Sequence, residues 1–237
     1  MKIIKNNGKA AAVRICILVL LCISPVFAEN QFIETAFAVS TCEELEFLEK
    51  SISDQPQSVR DLSLGIAMHN LSAEQPEYID RAAAYLESAW KLSEDPLALG
   101  YLGSIQTVAA GVKSREGDLL GAVEDLDLGV SNIDAAVEMA PESVSLRFLR
   151  IFNGLDVSLS SPLSREEIIE DDLIFLARDL AEADAEFRAG YWYATGELKL
   201  MQDLIDEALN ALESAVAEAP GSAYARLAAD LLWELEE

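Results

Sequence analysis

"WYATGELKLMQDLIDEALNALESAVAEAP", residues 192–220, decides the fold. Small and large apolar side chains alternate along it on a helical period and stop at Ala219-Pro220-Gly221; the period then resumes. The same periodicity runs through the whole chain, and no window shows the β-branched alternation of a half-buried strand. Pro56, Pro76, Pro96, Pro141, Pro162 and Pro220 fall between periodic segments rather than inside them. Thr41 with Glu44, and Ser164 with Glu167, have the spacing of a capping box. These signals predict ten helices, near 41–54, 57–72, 77–93, 97–112, 118–139, 142–156, 165–183, 185–200, 203–218 and 222–235, after a short and potentially helical lead-in over 29–40. The expected fold class is all-α, in one domain over 29–237 without an interdomain linker.

Counting back from Pro220 places Ala215 at −5, Leu212 at −8, Ala208 at −12, Gly196 at −24 and Trp192 at −28. With these offsets the stretch resembles the tetratricopeptide repeat, a helix-turn-helix unit, although Thr195 stands where leucine is usual. The physics of the spelling is plain. Gly196 and Ala208 let two helices approach closely, Trp192 and Leu212 fill the groove around that contact, Ala215 admits a neighbour, and Pro220 ends the second helix. One such unit cannot bury its apolar face alone, so units must stack. The clearest unit spans 189–222, and 222–235 reads as a terminal capping helix with a polar free side.

Looser copies precede it. Ala82, Leu86 and Ala89 keep the mutual spacing, as do Ile133, Ala136 and Pro141, with Gly129 where alanine is usual; Leu102-Gly103 matches the first helix of a pair. Gly103 lies 38 residues before Pro141, against 24 between Gly196 and Pro220, so the hairpin over about 97–139 is expected to be elongated, with "GVKSREGD", 111–118, as its turn. Leu119, Val123, Leu126, Val130, Ile133 and Val137 step by four and three along it, the seam of a packed helix. The unit over 142–183 departs most: "SLRFLRIFNGL" lacks the Leu-Gly pair, and Ile169 stands where alanine is usual. The resemblance covers roughly 57–237 and implies stacked helix-turn-helix repeats in a short right-handed superhelix. It further implies a non-catalytic module that binds a protein or peptide with its concave face.

Residues 1–28 have the three parts of a secretory leader: Lys2, Lys5, Lys9 and Arg14, then the apolar "ICILVLLCI", then a cleavage site after "VFA" at Ala28. The apolar run is short of the ~20 residues that span a bilayer. The mature chain is therefore expected to be exported, periplasmic or secreted, with no stable membrane span. The leader takes four of the 17 basic residues and none of the 42 acidic ones, so its loss moves the net charge from −25 to −29. Such a field repels nucleic acid and is expected to serve solubility in a salty environment or the binding of a basic protein, a cationic ligand or a divalent ion. Cys16 and Cys22 leave with the leader, and Cys42 alone cannot form an intramolecular disulfide.

Little in the chain points to chemistry. His69 is the only histidine and lies on the stripe Val59, Leu62, Ile66, His69, where a satisfied helix-face histidine is expected rather than a base or metal ligand. Cys42 sits in a first helical turn, which favours thiolate, beside Glu43 and Glu44, which oppose it. Glu166, Glu167, Glu170 and Asp171 read as a solvated helix start, and Glu124, Asp125, Asp127 and Asp134 likewise. No phosphate loop occurs and no cofactor is expected. Arg147 and Arg150, three apart in an apolar segment, are expected to pair with a carboxylate of the chain or, if they face the groove, to clamp a partner's. Tyr193, Glu197 and Leu200 are the other candidate partner contacts. Two further readings are an accessory subunit of a solute transport system, acting beside a substrate-binding protein, and a metal-dependent or enzymatic protein resting on His69 and Cys42.

Overall fold

Short polar side chains set six of the helix starts in the computed structural model, which describes residues 31–236, Ser222 before Ala223 among them. Thr41 accepts from Glu44 N–H while the Glu44 carboxylate accepts from Thr41 N–H, the reciprocal box that its spacing predicts. Asp95, Asp118, Ser143 and Asp184 each accept from a backbone N–H two or three residues on. The described residues form eleven helices and no strand: α1 (Gln31–Ala38), α2 (Cys42–Ser51), α3 (Gln57–Leu71), α4 (Tyr78–Ser93), α5 (Pro96–Glu116), α6 (Leu119–Met139), α7 (Val144–Ser160), α8 (Glu166–Leu176), α9 (Ala185–Met201), α10 (Ile205–Glu218) and α11 (Ala223–Glu236). The expected leader, 1–28, lies outside the described residues.

The chain divides into two compact units, 31–142 and 143–236 among the described residues. In the first, α3/α4 and α5/α6 are antiparallel hairpins joined by packing of α4 on α5, and α1 and α2 lie on α3. Asn70 of α3 ties α1 down by donating to the Ala36 and Phe37 carbonyls at 3.1 and 3.2 Å, which satisfies the end of that short helix. In the second unit, α7/α8 and α9/α10 are the hairpins, α9 packs on both α7 and α8, and α11 covers α10 and α9.

One contact recurs in all four hairpins. A methyl group built on Gly196 of α9 would lie 2.7 Å from Leu212 Cγ and Cδ2 of α10. Gly65 stands in the same way against Leu86 (2.8 Å to Cδ2), Gly103 against Ile133 (2.8 Å to Cγ1) and Gly154 against Ile169 (3.0 Å to Cγ1). Around the branched side chain, the positions four before and three after are Ala82 and Ala89, Gly129 and Ala136, Arg165 and Asp172, Ala208 and Ala215. Each of these eight is buried, so the residues beside the branched side chain are small in three hairpins and charged in the third.

Several expectations need correction. The 111–118 stretch is helical to Glu116 and turns only at Gly117-Asp118, where Gly117 takes φ 91° and the Asp118 N–H closes on the Lys113 carbonyl. Lys113, Arg115 and Glu116 are good helix formers, and the two cations suit a helix C-terminus. On α6 the buried face is Ala122, Gly129, Val130, Ile133, Ala136 and Val137, while Leu119 and Val123 of the expected seam are exposed. Gly129 and Ile133 face α5, where the Gly103 and Gly129 backbones come into contact. Ser164 does not form the expected box; α8 starts one residue later behind Arg165, whose N–H is taken by Ser158 Oγ at 2.8 Å. Helix α7 runs on to Ser160, and α8 stops at Leu176 in a 3₁₀ turn, so that Leu180 and Ala183 pack on the core. In the third hairpin Gly154 is the close-approach residue, and Ile169 holds the place of Leu212 rather than that of an alanine.

Adding a methyl group separates these glycines by context. Gly103→Ala would push against the Gly129 carbonyl and should lower unfolding stability by about 1–3 kcal/mol. Gly111→Ala, with Arg115 Nη1 3.6 Å away as its nearest neighbour, should raise stability by up to about 1 kcal/mol. Urea unfolding of the two variants reads both signs.

Candidate functional site

Asp172 is the most deeply buried carboxylate among the described residues, at 0% exposure, and it collects both arginines that the sequence singles out. Arg150 donates from Nε to Oδ2 and from Nη2 to Oδ1, each at 2.7 Å, and Arg147 donates from Nη1 to Oδ1. Arg147 also lies over the Phe175 ring, 3.7 Å from its centroid, with Arg178 at 4.8 Å. The register of the hairpins explains the arrangement. Asp172 occupies the place of Ala89, Ala136 and Ala215, and Arg150 the place of Trp192, four residues before the glycine. A carboxylate at a core position demands paired charge, and α7 supplies it. Asp172 was not singled out by its sequence, where it closes the acidic run "EEIIEDD"; its phase with Ile169 and Leu176, three before and four after, is the signal that separates it from the solvent-facing Glu167, Glu170 and Asp171.

The remaining candidate contacts lie beside an aromatic stack. Tyr193 is 2% exposed and Glu197 6%, so neither side chain is presented to solvent, against the expectation that Tyr193 points to an open inner face. Phe152 of α7 stacks on Tyr193 (6.2 Å between centroids, 25°), on Tyr224 (5.6 Å, 17°) and on Phe148 (5.9 Å, 25°), so rings from three helices fill that face. Gly190 makes room for Tyr224, whose Cε2 would lie 2.8 Å from a methyl group there. Leu200 and Trp192 are half-buried against the same cluster, with Trp192 edge-on to Tyr191 at 5.1 Å. The scaffold residues Gly196, Ala208, Leu212 and Ala215 are buried, and Pro220 lies just beyond α10, as their spacing predicts.

In the first unit His69 Nε2 is 2.8 Å from Ser104 Oγ, and the Tyr101 ring meets the imidazole edge-on at 5.1 Å. Desolvation holds the imidazole neutral, with its pKa lowered to about 4. His69 is 1% exposed and Ser104 0%, and Ser104 sits mid-helix, where backbone N–H groups are committed to the helix and none is free to receive an oxyanion. The pair is therefore a buried hydrogen bond between α3 and α5. Cys42 is exposed, with Sγ 3.2 Å from Gln75 Oε1 and 3.6 Å from the Tyr78 hydroxyl. Among the described residues no group of three or more His, Cys, Asp and Glu side chains is arranged to hold a metal ion, and no helix is long and apolar enough to cross a membrane. No family model, no curated protein and no solved structure matches the chain.

Two outcomes follow from these buried polar groups. Asp172→Ala removes the buried carboxylate that two guanidinium groups share and should cost about 3–5 kcal/mol of stability, whereas Arg147→Met should cost less, because Arg150 still binds both carboxylate oxygens; denaturant midpoints compare them. For His69 the folded pKa is depressed, so between pH 6.5 and 4 the unfolded chain takes up a proton that the folded chain refuses. Stability falls as pH drops through that window and levels off below it, by about 3 kcal/mol in all. His69→Gln removes the titration but keeps a partner for Ser104, so the gap between wild-type and variant stabilities should change across the window and be flat above it.

Proposed function

We propose that the chain is an exported, non-catalytic scaffold of tetratricopeptide type that holds a protein or peptide, of basic character, on a face of its second unit formed by the first helices of the hairpins there, α7 and α9. The observation that carries this reading is the fourfold recurrence of a glycine on the first helix against a branched side chain on the second, at Gly65, Gly103, Gly154 and Gly196. Such a contact builds stacked hairpins and spends the polar interior on holding them together: His69 bonds Ser104, and Asp172 bonds Arg147 and Arg150. The acidity fits the same reading, since a net charge of −25 disfavours nucleic acid and draws basic partners. Export with cleavage after Ala28 belongs to the proposal. Within the proposed contact face, Leu200 and the partly exposed edges of Arg147 and Arg150 touch the partner, while Tyr193 and Glu197 support them from behind.

A photo-reactive amino acid at Leu200 of α9 tests this in the native compartment, with one at the exposed Glu213 of α10 as the comparison. The proposal expects a discrete crosslinked partner from Leu200 and none from Glu213. Equal crosslinking from the two positions contradicts it.

A further inference from the structure

The elongated α5/α6 hairpin carries an apolar surface that its own unit leaves uncovered. On the first turns of α6, Leu119, Leu120 and Val123 are 64%, 81% and 56% exposed. Leu119 and Val123 lie one turn apart and form a ridge, with Leu120 beside it on the same side of the helix. Large aliphatic side chains gathered on one exposed helix face mark an interaction surface rather than ordinary solvent-facing sequence.

Charge decides what fits there. Glu116, Asp118, Glu124 and Asp127 surround the ridge in solvent, and of the two nearby cations Lys113 is held by Asp125 at 2.6 Å, which leaves Arg115 against four carboxylates. A second copy would bring the same carboxylates onto this rim, on a chain whose net charge is already −25. The complementary occupant has an apolar ridge flanked by Lys and Arg, the pattern of a basic amphipathic helix. We propose that the N-terminal half of α6 docks a basic amphipathic helix of a partner protein. This surface lies on the second helix of its hairpin, so the inference stands apart from the contact face of the first helices.

The probe is a short, fluorescently labelled amphipathic peptide of leucine and lysine, titrated against the full chain and read by anisotropy. Leu120→Ser with Val123→Ser, which leaves charge unchanged, should weaken binding roughly tenfold or more, and Glu124→Gln with Asp127→Asn should do likewise. Phe47→Ser, which removes an exposed apolar side chain on α2, should leave binding as it was. In the unmodified chain the peptide should slow hydrogen exchange over 116–128, a reading that does not depend on how the variants fold. Unchanged affinity in the α6 variants together with protection elsewhere overturns the proposal. So does self-association of the chain that these variants abolish, which would make a second copy the occupant, or binding to phosphatidylcholine vesicles that they abolish, which would make it lipid.

Discussion

Gly196 brings the Leu212 side chain down onto the backbone of α9, and the other three hairpins make the same contact. A Cβ at these glycines would fall within about van der Waals exclusion of the branched side chain, so the two helices can be this close only without one. From that approach the neighbouring residues follow. The positions four before and three after the branched side chain are sealed between helices, so alanine or glycine stands there in three hairpins. In the third they are Arg165 and Asp172, and a buried carboxylate is tolerable only because Arg150 and Arg147 reach it from α7. The charged cluster is thus a consequence of the packing register, and it makes α7 and α8 depend on one another more than their apolar contacts alone would require.

Much of this was legible in the residues. Proline placement and apolar period located nine of the ten main helices to within about four residues at each end, α8 stops seven residues short of its expected end at 183, and the lead-in over 29–40 contains α1. The Trp192-to-Pro220 spacing identified Gly196, Ala208, Leu212 and Ala215 as mutually packed residues, which they are. What was not legible has specific causes. The polar stretch 111–118 reads as a turn by composition, yet its Lys, Arg and Glu are helix formers, so only Gly117-Asp118 bends. The third hairpin hid its glycine because Asn153, not leucine, precedes Gly154, and the apparent register slipped by one turn at Ile169.

The candidate contacts show a second kind of limit. Sequence phase turns Tyr193 away from Trp192 and toward an open face, but phase gives a direction and not what covers it. Phe152 and Tyr224 arrive from α7 and α11 and close over the ring. Likewise the seam along α6 continues in phase from Val137 back to Leu119, but the packing uses only its C-terminal half, and Leu119 and Val123 are left outside. Polar groups divide in the same sense: His69, Ser104 and Asp172 are turned inward as fasteners, and the acidic surplus is turned outward as a field.

The central claim, that close approach at glycine against a branched side chain holds each hairpin, is tested most directly by a double-mutant cycle on Gly196 and Leu212. Unfolding free energies of Gly196→Ala, Leu212→Ala and the double variant give the coupling between the two positions. Gly196→Ala should cost stability in the wild-type background and cost about 1 kcal/mol less, or nothing, once Leu212 is trimmed, because the new methyl group then enters vacated space. Strict additivity of the two single changes would contradict it.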